Sequence, residues 1–269
     1  MCAAPATPGT GWDPAQYERF AAERAQPFHD LLGMVAPCPG GQVVDLGCGT
    51  GELTAILHRR TGARRTLAID SSREMIGRAK ARAGRGIEVA EADIGAFSGG
   101  GAYDVVFANA SLQWLPDHPG LFERLTAALA DGGQLAVQVP ANADHPSHTI
   151  AHEVAHEPPF LDAFAGAPPR DTVERSVLAP ERYAELLHHL RYTEQHVRLQ
   201  VYGHVLPSAE SVVEWTKGTT LVRFRRVLPP EVFEAFLDRY RERVVASLGP
   251  AEPYFYAFKR VLMWARRPS

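Results

Sequence analysis

The chain has 269 residues, with 28 Lys and Arg against 31 Asp and Glu, for a net charge of −3. That near balance excludes a general nucleic-acid binder, and no apolar run approaches the ~18 residues that a membrane span requires. The length suits one large domain, or one domain with an insertion; Cys2, Cys38 and Cys48 are too few and too scattered for a disulfide framework and suit reduced thiols in a cytoplasm.

The opening "MCAAPATPGTG" has no cationic start followed by an apolar run, so residues 1–11 read as a disordered tail. "DPAQYERFAAERAQPFHDLLGMV" predicts a helix capped by Asp13, with Pro14 in its first turn and Pro27 dividing it into two. Strands and helices then alternate. "QVVDLG", "RTLAID", "IEVAEAD", "YDVVFAN" and "GGQLAVQVP" read as strands; "GELTAILHRRT", "SSREMIGRAKARA" (opened by a serine cap) and "HPGLFERLTAALA" read as helices. This rhythm predicts an α/β fold over residues 12–140, a doubly wound parallel sheet with helices on both faces.

Residues 141–269 form the remainder of the same domain. The Pro-rich piece between Asn142 and Pro180 reads as an insertion folded over the sheet's edge as a lid. "PERYAELLHHLR" is a helix, "EQHVRLQVYGHV" a strand, residues 208–248 a helical block, and "YAFKRVLMWARR" the last strand.

The stretch "VVDLGCGTGELT" is a glycine-rich turn between a strand and a helix. Gly47 and Gly49 fit the first two glycines of the dinucleotide pattern, but Glu52 takes the third place and Gly51 comes one residue early. In open α/β sheets ligands sit at the carboxyl ends of the strands, and here those ends carry Asp45, Asp70, Asp93 and Asn109. Asp45 and Glu52 repel a pyrophosphate. A cationic adenosine ligand fits better, and S-adenosylmethionine carries an ammonium and a sulfonium with no phosphate. Its amino-acid end approaches the bare backbone of Gly47, Gly49 and Gly51. Asp70 accepts the ribose hydroxyls, and Asp93 accepts from the adenine amino group. Cys48 reads as a small turn residue, since no base is evident beside it.

Together, "VVDLGCGTG", Asp70, "EADI" and "YDVVFANASLQWL" resemble the class I S-adenosylmethionine-dependent methyltransferases in order and spacing. The resemblance implies a Rossmann-like sheet with S-adenosylmethionine as cofactor, and adds Ser71, Met75 and Ile94 to its contacts; for Met75 the alternative is core. "NASL" lacks the two prolines usual in enzymes that methylate nucleobase amines.

Beyond that core, "WDPAQYERFAAERAQPF", "FANASLQWLPDH", "LAVQVPAN", "VVEWTKGTTLVRF" and "FKRVLMWARR" resemble the trans-aconitate 2-methyltransferase family, with matches at Trp12, Tyr17, Phe20, Arg24, Gln113, Trp114, Trp215 and Arg260. "PYFYAFKR" is more aromatic, and "HEVAHEPPF" richer in histidine, than the family pattern. The resemblance implies methyl-ester formation on a small anionic polycarboxylate, with no nucleic acid or membrane as partner. A carboxylate with pKa ~4 is ionised at pH 7 and needs no base, so a positioning mechanism without catalytic residues is expected. Arg24, Lys217 and Arg260 are candidates to grip carboxylates, against surface salt bridges as the alternative. His145 and His148 are candidates to help hold the anion. Trp114 and Trp215 either wall the pocket or fill core. "RFRRVL" reads as a solvated helix face.

Two other readings remain open. One is a methyltransferase of the same fold with a different small acceptor. The other is a metallohydrolase, because "HEVAH" sets His152, Glu153 and His156 at H-E-x-x-H spacing, with Glu174 or Glu181 as a further ligand. Against it, Pro158 and Pro159 end the helix and the extended H-x-x-G-x-x-H continuation is absent, so no metal is expected. Oligomeric state is not legible.

Overall fold

A computed structural model of the protein describes residues 21–269, with side chains from residue 25. The expected tail, Asp13, Pro14, Trp12, Tyr17 and Phe20 lie outside the described residues, as does the side chain of Arg24. Helix α1 (Ala21–Leu32) runs through Pro27 without a break, contrary to the division expected there. Phe28, Leu31 and Leu32, just past the proline, are 1%, 0% and 4% exposed. Burying three such side chains contributes roughly 5 kcal/mol, more than the ~3 kcal/mol that a proline costs inside a helix.

The alternation from β1 onward folds as its pattern dictates. Strands β1 (Gln42–Leu46), β2 (Arg65–Asp70), β3 (Ile87–Glu91), β4 (Tyr103–Asn109) and β5 (Leu129–Pro140) are joined by α2 (Glu52–Thr61), α3 (Arg73–Ala79) and α4 (His118–Ala128). Ser72 caps α3 by accepting from the Met75 N–H. Asp117 caps α4. Then come α5 (Pro146–Ala155), α6 (Phe160–Ala163), α7 (Thr172–Ser176), α8 (Pro180–His189), β6 (Glu194–Leu206), α9 (Glu210–Lys217), α10 (Val222–Arg225), α11 (Pro230–Leu248) and β7 (Tyr254–Arg266).

The seven strands are ordered β3-β2-β1-β4-β5-β7-β6. β1 to β5 pair in parallel, whereas β7 lies antiparallel to β5, Gln138 opposite Leu262. The sheet is therefore mixed. The chain leaves β1 in one direction toward β3 and returns on its other side as β4, so β1 and β4 flank the switch point where such sheets bind ligands.

The chain divides into two compact units, 24–141 with 175–202 and 259–269, and 142–174 with 203–258. In the first, the sheet unit, both faces of the central strands are apolar. Val44, Leu46, Val106, Ala108, Leu135, Val137, Val261 and Met263 belong to a core that includes Leu121 and Phe122 of α4 and Tyr183 and Leu187 of α8. Their neighbours Val43, Val105, Phe107, Ala136 and Leu262 belong to a second core with Phe28 and Leu31 of α1 and Leu57 of α2. Successive residues of one strand thus enter different cores, as the pleat requires.

The second, helical unit has its own core, in which Ile150 and Val154 of α5 pack with Phe160, Phe224, Phe236 and Tyr240. A smaller cluster joins Leu206, Val212, Trp215, Tyr256 and Phe258. No helix among the described residues is long and apolar enough to cross a membrane.

Under the turn that follows β4, a buried polar chain runs through the sheet unit's core. His118 donates from Nε2 to the Leu112 carbonyl at 3.0 Å, and its Nδ1 meets the Tyr183 hydroxyl, which also accepts from the Leu178 N–H at 3.2 Å. Tyr183→Phe leaves two buried groups unsatisfied, so it is expected to lower unfolding free energy by ~1–3 kcal/mol in urea titrations.

Candidate functional site

The carboxyl ends of β1, β2 and β4 bring together most of the polar residues expected to hold a ligand. Asp45, next to last in β1, is 4% exposed, and its Oδ2 accepts from the Thr54 hydroxyl at 2.6 Å. Burial first, opposed by Thr54 and reinforced by the charge of Asp70, pushes its carboxyl up to about 6. Asp70 ends β2. Its Oδ2 accepts from the Gly49 N–H at 3.0 Å and its Oδ1 from the Ser72 N–H at 2.8 Å. A carboxylate oxygen has two acceptor positions, so each oxygen retains one for a further donor. The same backbone bond ties the glycine loop to β2.

The three loop glycines are needed for different reasons. All have positive φ: 83° at Gly47, 55° at Gly49 and 76° at Gly51. A Cβ on Gly47 would stand 2.3 Å from the Ser111 Cβ, and one on Gly51 3.2 Å from the Ala79 Cβ. At Gly49 the missing side chain leaves open space beside the backbone, whereas at Gly47 and Gly51 packing also excludes a Cβ. Cys48 is buried, and burial together with Asp45 and Asp70 raises its thiol well above the ordinary range, so it supplies no thiolate.

After β4 the chain turns through Ala110, a non-glycine residue at φ 54°. The turn is fastened at both ends: the Ala110 N–H donates to the Gln138 carbonyl at 2.9 Å, and the Ala110 carbonyl accepts from Gln113 Nε2 at 2.8 Å. Asn109 Oδ1 and Gln113 Oε1 are buried and have no donor among the described residues. Two orphaned acceptors at a switch point suit a ligand that brings donors. Trp114 follows on the same turn and is 54% exposed, so it does not fill core.

The other expected cofactor contacts sit around these. Ser71 is exposed; Met75 and Ile94 are buried, Ile94 within the sheet unit's core. Asp93 is exposed, and its Oδ1 accepts from the Gly95 N–H at 2.8 Å.

The acceptor candidates are distributed between the units. In the sheet unit, Arg260 on β7 is buried and Nη1 donates to Gln138 Oε1 at 3.3 Å. In the helical unit, Trp215 is 2% exposed among Tyr256, Phe258 and His204, which makes it core. Lys217 pairs with Glu214 one turn away at 2.6 Å. His145 caps α5, its Nδ1 accepting from the Ser147 N–H at 3.1 Å. His148 is buried and donates from Nδ1 to Asp171 Oδ2 at 2.9 Å. His152, Glu153 and His156 are exposed. Glu153 pairs with Arg243, and His156 Nδ1 donates to the His152 carbonyl at 2.8 Å. Among the described residues no group of three or more His, Cys, Asp or Glu is placed to hold a metal ion.

One expectation is overturned. "RFRRVL" is not a solvated face throughout: Phe224 and Leu228 are buried, and Arg223 is 15% exposed and pairs with Asp171 at 2.7 Å. Arg225 and Arg226 are the exposed members. The signal missed was a charge inside the apolar run Leu221, Val222, Phe224, where a solvated arginine is out of place.

A methyltransferase-domain family model matches residues 17–215. The trans-aconitate 2-methyltransferase of Deinococcus radiodurans is 43% identical, covering 96% of this chain and 99% of that protein. That of an Acidovorax species is 37% identical, covering 95% and 98%. The chain belongs to the trans-aconitate 2-methyltransferase family. Among solved structures, a Haemonchus contortus phosphoethanolamine N-methyltransferase aligns with a TM-score of 0.55 at 15% identity, over 91% of this chain and 53% of that one. The chain spans about half of that enzyme, and the likeness shows the shared fold. Family membership agrees with the site: a sheet whose strand ends carry carboxylates and an amide, and no lysine or arginine in its glycine loop.

Two outcomes follow for the loop. Gly49→Ala adds a Cβ to open space at a left-handed φ, so it should cost ~1–2 kcal/mol of stability yet weaken S-adenosylmethionine binding tenfold or more. Gly47→Ala adds a clash to the same strain, and thermal melting should show the larger loss, roughly 2–5 kcal/mol.

The raised Asp45 carboxyl predicts pH-dependent cofactor binding. With its carboxyl at about 6 in the folded chain and ~3.9 unfolded, the stability this group contributes is present below pH ~4 and is lost as pH rises through 6. A cation reverses the preference, because it favours the carboxylate. Affinity for S-adenosylmethionine should therefore rise between pH 5 and 7 and then level, with proton release seen by calorimetry in two buffers at pH 6. Asp45→Asn should flatten this dependence.

Proposed function

We propose that the protein transfers the methyl group of S-adenosylmethionine to a carboxylate of a small polycarboxylic acid, the acceptor being trans-aconitate. The observation that carries the cofactor assignment is the set of unmet acceptors at one end of the sheet. Asp70 has room for the two ribose hydroxyls, and Asn109 Oδ1 and Gln113 Oε1 have no donor among the described residues. These residues fit a cationic adenosine ligand and would repel a pyrophosphate. When bound, S-adenosylmethionine supplies a methyl group on a positively charged sulfur. The acceptor assignment rests on the relatives, which carry the name trans-aconitate 2-methyltransferase across nearly their whole length.

The chain's part in the chemistry is placement. A carboxylate is already a nucleophile at neutral pH, so no side chain removes a proton from it. Asp70 fixes the ribose, and Asp93 is the acceptor assigned to the adenine amino group. Gly49 leaves its backbone open to the amino-acid end. The acceptor needs cations, and Arg24 and Arg260 are assigned to it. Bringing an anion and a cation together in a water-poor site favours a transfer that neutralises both. We place the enzyme in the cytoplasm, in keeping with the free thiols of Cys38 and Cys48, with neither nucleic acid nor metal as partner.

A panel of di- and tricarboxylates and amines, with product identification, tests this. Trans-aconitate should yield a monomethyl ester. Its saturated rate should be nearly flat from about pH 6.5 to 9, since the acceptor stays ionised throughout. Turnover of amines alone, or an inflection near neutrality abolished by a histidine substitution, would refute the carboxylate assignment.

A further inference from the structure

One face of the sheet ends in a row of polar side chains, one from each of four neighbouring strands. Val43, Phe107, Ala136 and Leu262 belong to the core shared with α1 and α2. Two residues from each, toward the end of the sheet where β1, β4 and β5 finish, stand Asp45 of β1, Asn109 of β4, Gln138 of β5 and Arg260 of β7. Side chains two apart on a strand share a face. Backbone pairing fixes their neighbourhood: Asp45 lies opposite Phe107, Asn109 opposite Gln138, and Gln138 opposite Leu262, on strands about 4.8 Å apart. The Ala110 N–H donates to the Gln138 carbonyl at 2.9 Å, which ties the turn after β4 to this position. All four residues belong to the sheet unit.

Along the row the sense of the polar groups changes. Asp45 offers a carboxylate, and Asn109 offers a buried oxygen, Oδ1, with no donor among the described residues. Gln138 offers the reverse. It is 0% exposed, its Oε1 accepts from Arg260 Nη1 at 3.3 Å, and its Nε2 has no acceptor among the described residues. Turning the amide over would set its NH2 against the guanidinium, so the nitrogen is the open end. Although their residues pair across β4 and β5, the Asn109 oxygen and the Gln138 nitrogen do not bond each other. An unmet buried donor is costly, and one kept beside a ligand-binding strand end invites an acceptor from outside the chain. Asn109 and Ala110 are half-buried, so the row is nearest to solvent at β4.

We infer that Gln138 Nε2 is the recognition donor for the acceptor's reacting carboxylate, and that methyl donor and acceptor meet where the row changes sense, between β4 and β5. This rests on the carboxylate reading above and adds to it a specificity-determining residue. A cationic ligand is favoured over the oxygens of β1 and β4, and an anion over the donors of β5 and β7. Gln138 makes and breaks no bond. It holds the carboxylate oxygen that does not take the methyl group; the other oxygen forms the new bond to carbon, and the carbon–sulfur pair withdraws to sulfur. The held oxygen becomes the ester carbonyl. It is an acceptor before and after transfer, so the hydrogen bond survives the reaction. An amine would leave the buried Nε2 unmet, which rejects it more strongly than a merely missing contact would.

Two variants separate this role from mere support of Arg260. Gln138→Glu keeps an oxygen for the guanidinium but removes the donor and adds a like charge. Gln138→Met removes oxygen and donor together and adds no charge. If Nε2 recognises the carboxylate, kcat/KM for trans-aconitate should fall about 10-fold in Gln138→Met and about 30-fold or more in Gln138→Glu. Affinity for S-adenosylhomocysteine, measured by calorimetry, should stay within about threefold in both. A near-wild-type kcat/KM in Gln138→Glu, or a larger loss in Gln138→Met than in Gln138→Glu, means that the side chain only holds Arg260 and overturns the inference. So does an equal loss of S-adenosylhomocysteine affinity. If wild type methylates no polycarboxylate, the acceptor reading has failed and this one falls with it. Should either variant misfold, the crystal structure of wild type with trans-aconitate and S-adenosylhomocysteine decides: a carboxylate oxygen within hydrogen-bond distance of Gln138 Nε2 supports the assignment, and its absence there refutes it.

Discussion

The constraint on which the sheet unit depends is that its central strands are apolar on both faces. Val43 and Val44, Val105 and Val106, Ala136 and Val137 enter opposite cores in succession. A strand buried in this way takes a polar side chain before its end only at a desolvation cost that hydrogen bonds must offset, as at Gln134 of β5, which bonds to Ala36 and Trp264. Asp45, Asp70, Asn109 and the turn at Ala110 gather at the carboxyl ends, Asp45 still buried and held by Thr54, with β1 and β4 adjacent at the reversal of strand order. Location of the site and stability of the fold share one cause.

The same constraint explains what could be read from the chain. Alternating strand and helix periods with a capping residue such as Ser72 are local signals, and the elements formed close to where those signals lie. The acidic strand ends were legible because a carboxylate at the tip of an apolar run costs desolvation that only a ligand or a hydrogen-bond partner offsets. Pro27 misled because its cost is local, whereas the burial of Phe28, Leu31 and Leu32 that outweighs it is tertiary. The antiparallel direction of β7 likewise depends on where the chain returns to the sheet, which its own residues do not state.

Side-chain roles were less legible than backbone ones. Three glycines in close succession read alike, yet Ser111 and Ala79, distant in sequence, decide two of them. His145 was read as a candidate to help hold an anion, and its use as a cap emerges only with the Ser147 N–H in place. Arg223 was hidden by its neighbours. "RFRRVL" has the charge density of a wet surface, and only Asp171, far earlier in the chain, distinguishes the buried arginine from the exposed ones.

The turn after β4 also has an electrostatic consequence. Gln113 has its nitrogen committed to the carbonyl of a left-handed residue, so its amide has one orientation. Rotating it by half a turn would set oxygen against oxygen. The side chain is therefore a fixed dipole whose oxygen points in one direction, and fixed groups interact with charge without the cost of reorientation. A glutamate there would carry more charge but lose the nitrogen that holds the aim. In this position a neutral amide keeps an orientation that a carboxylate would lose.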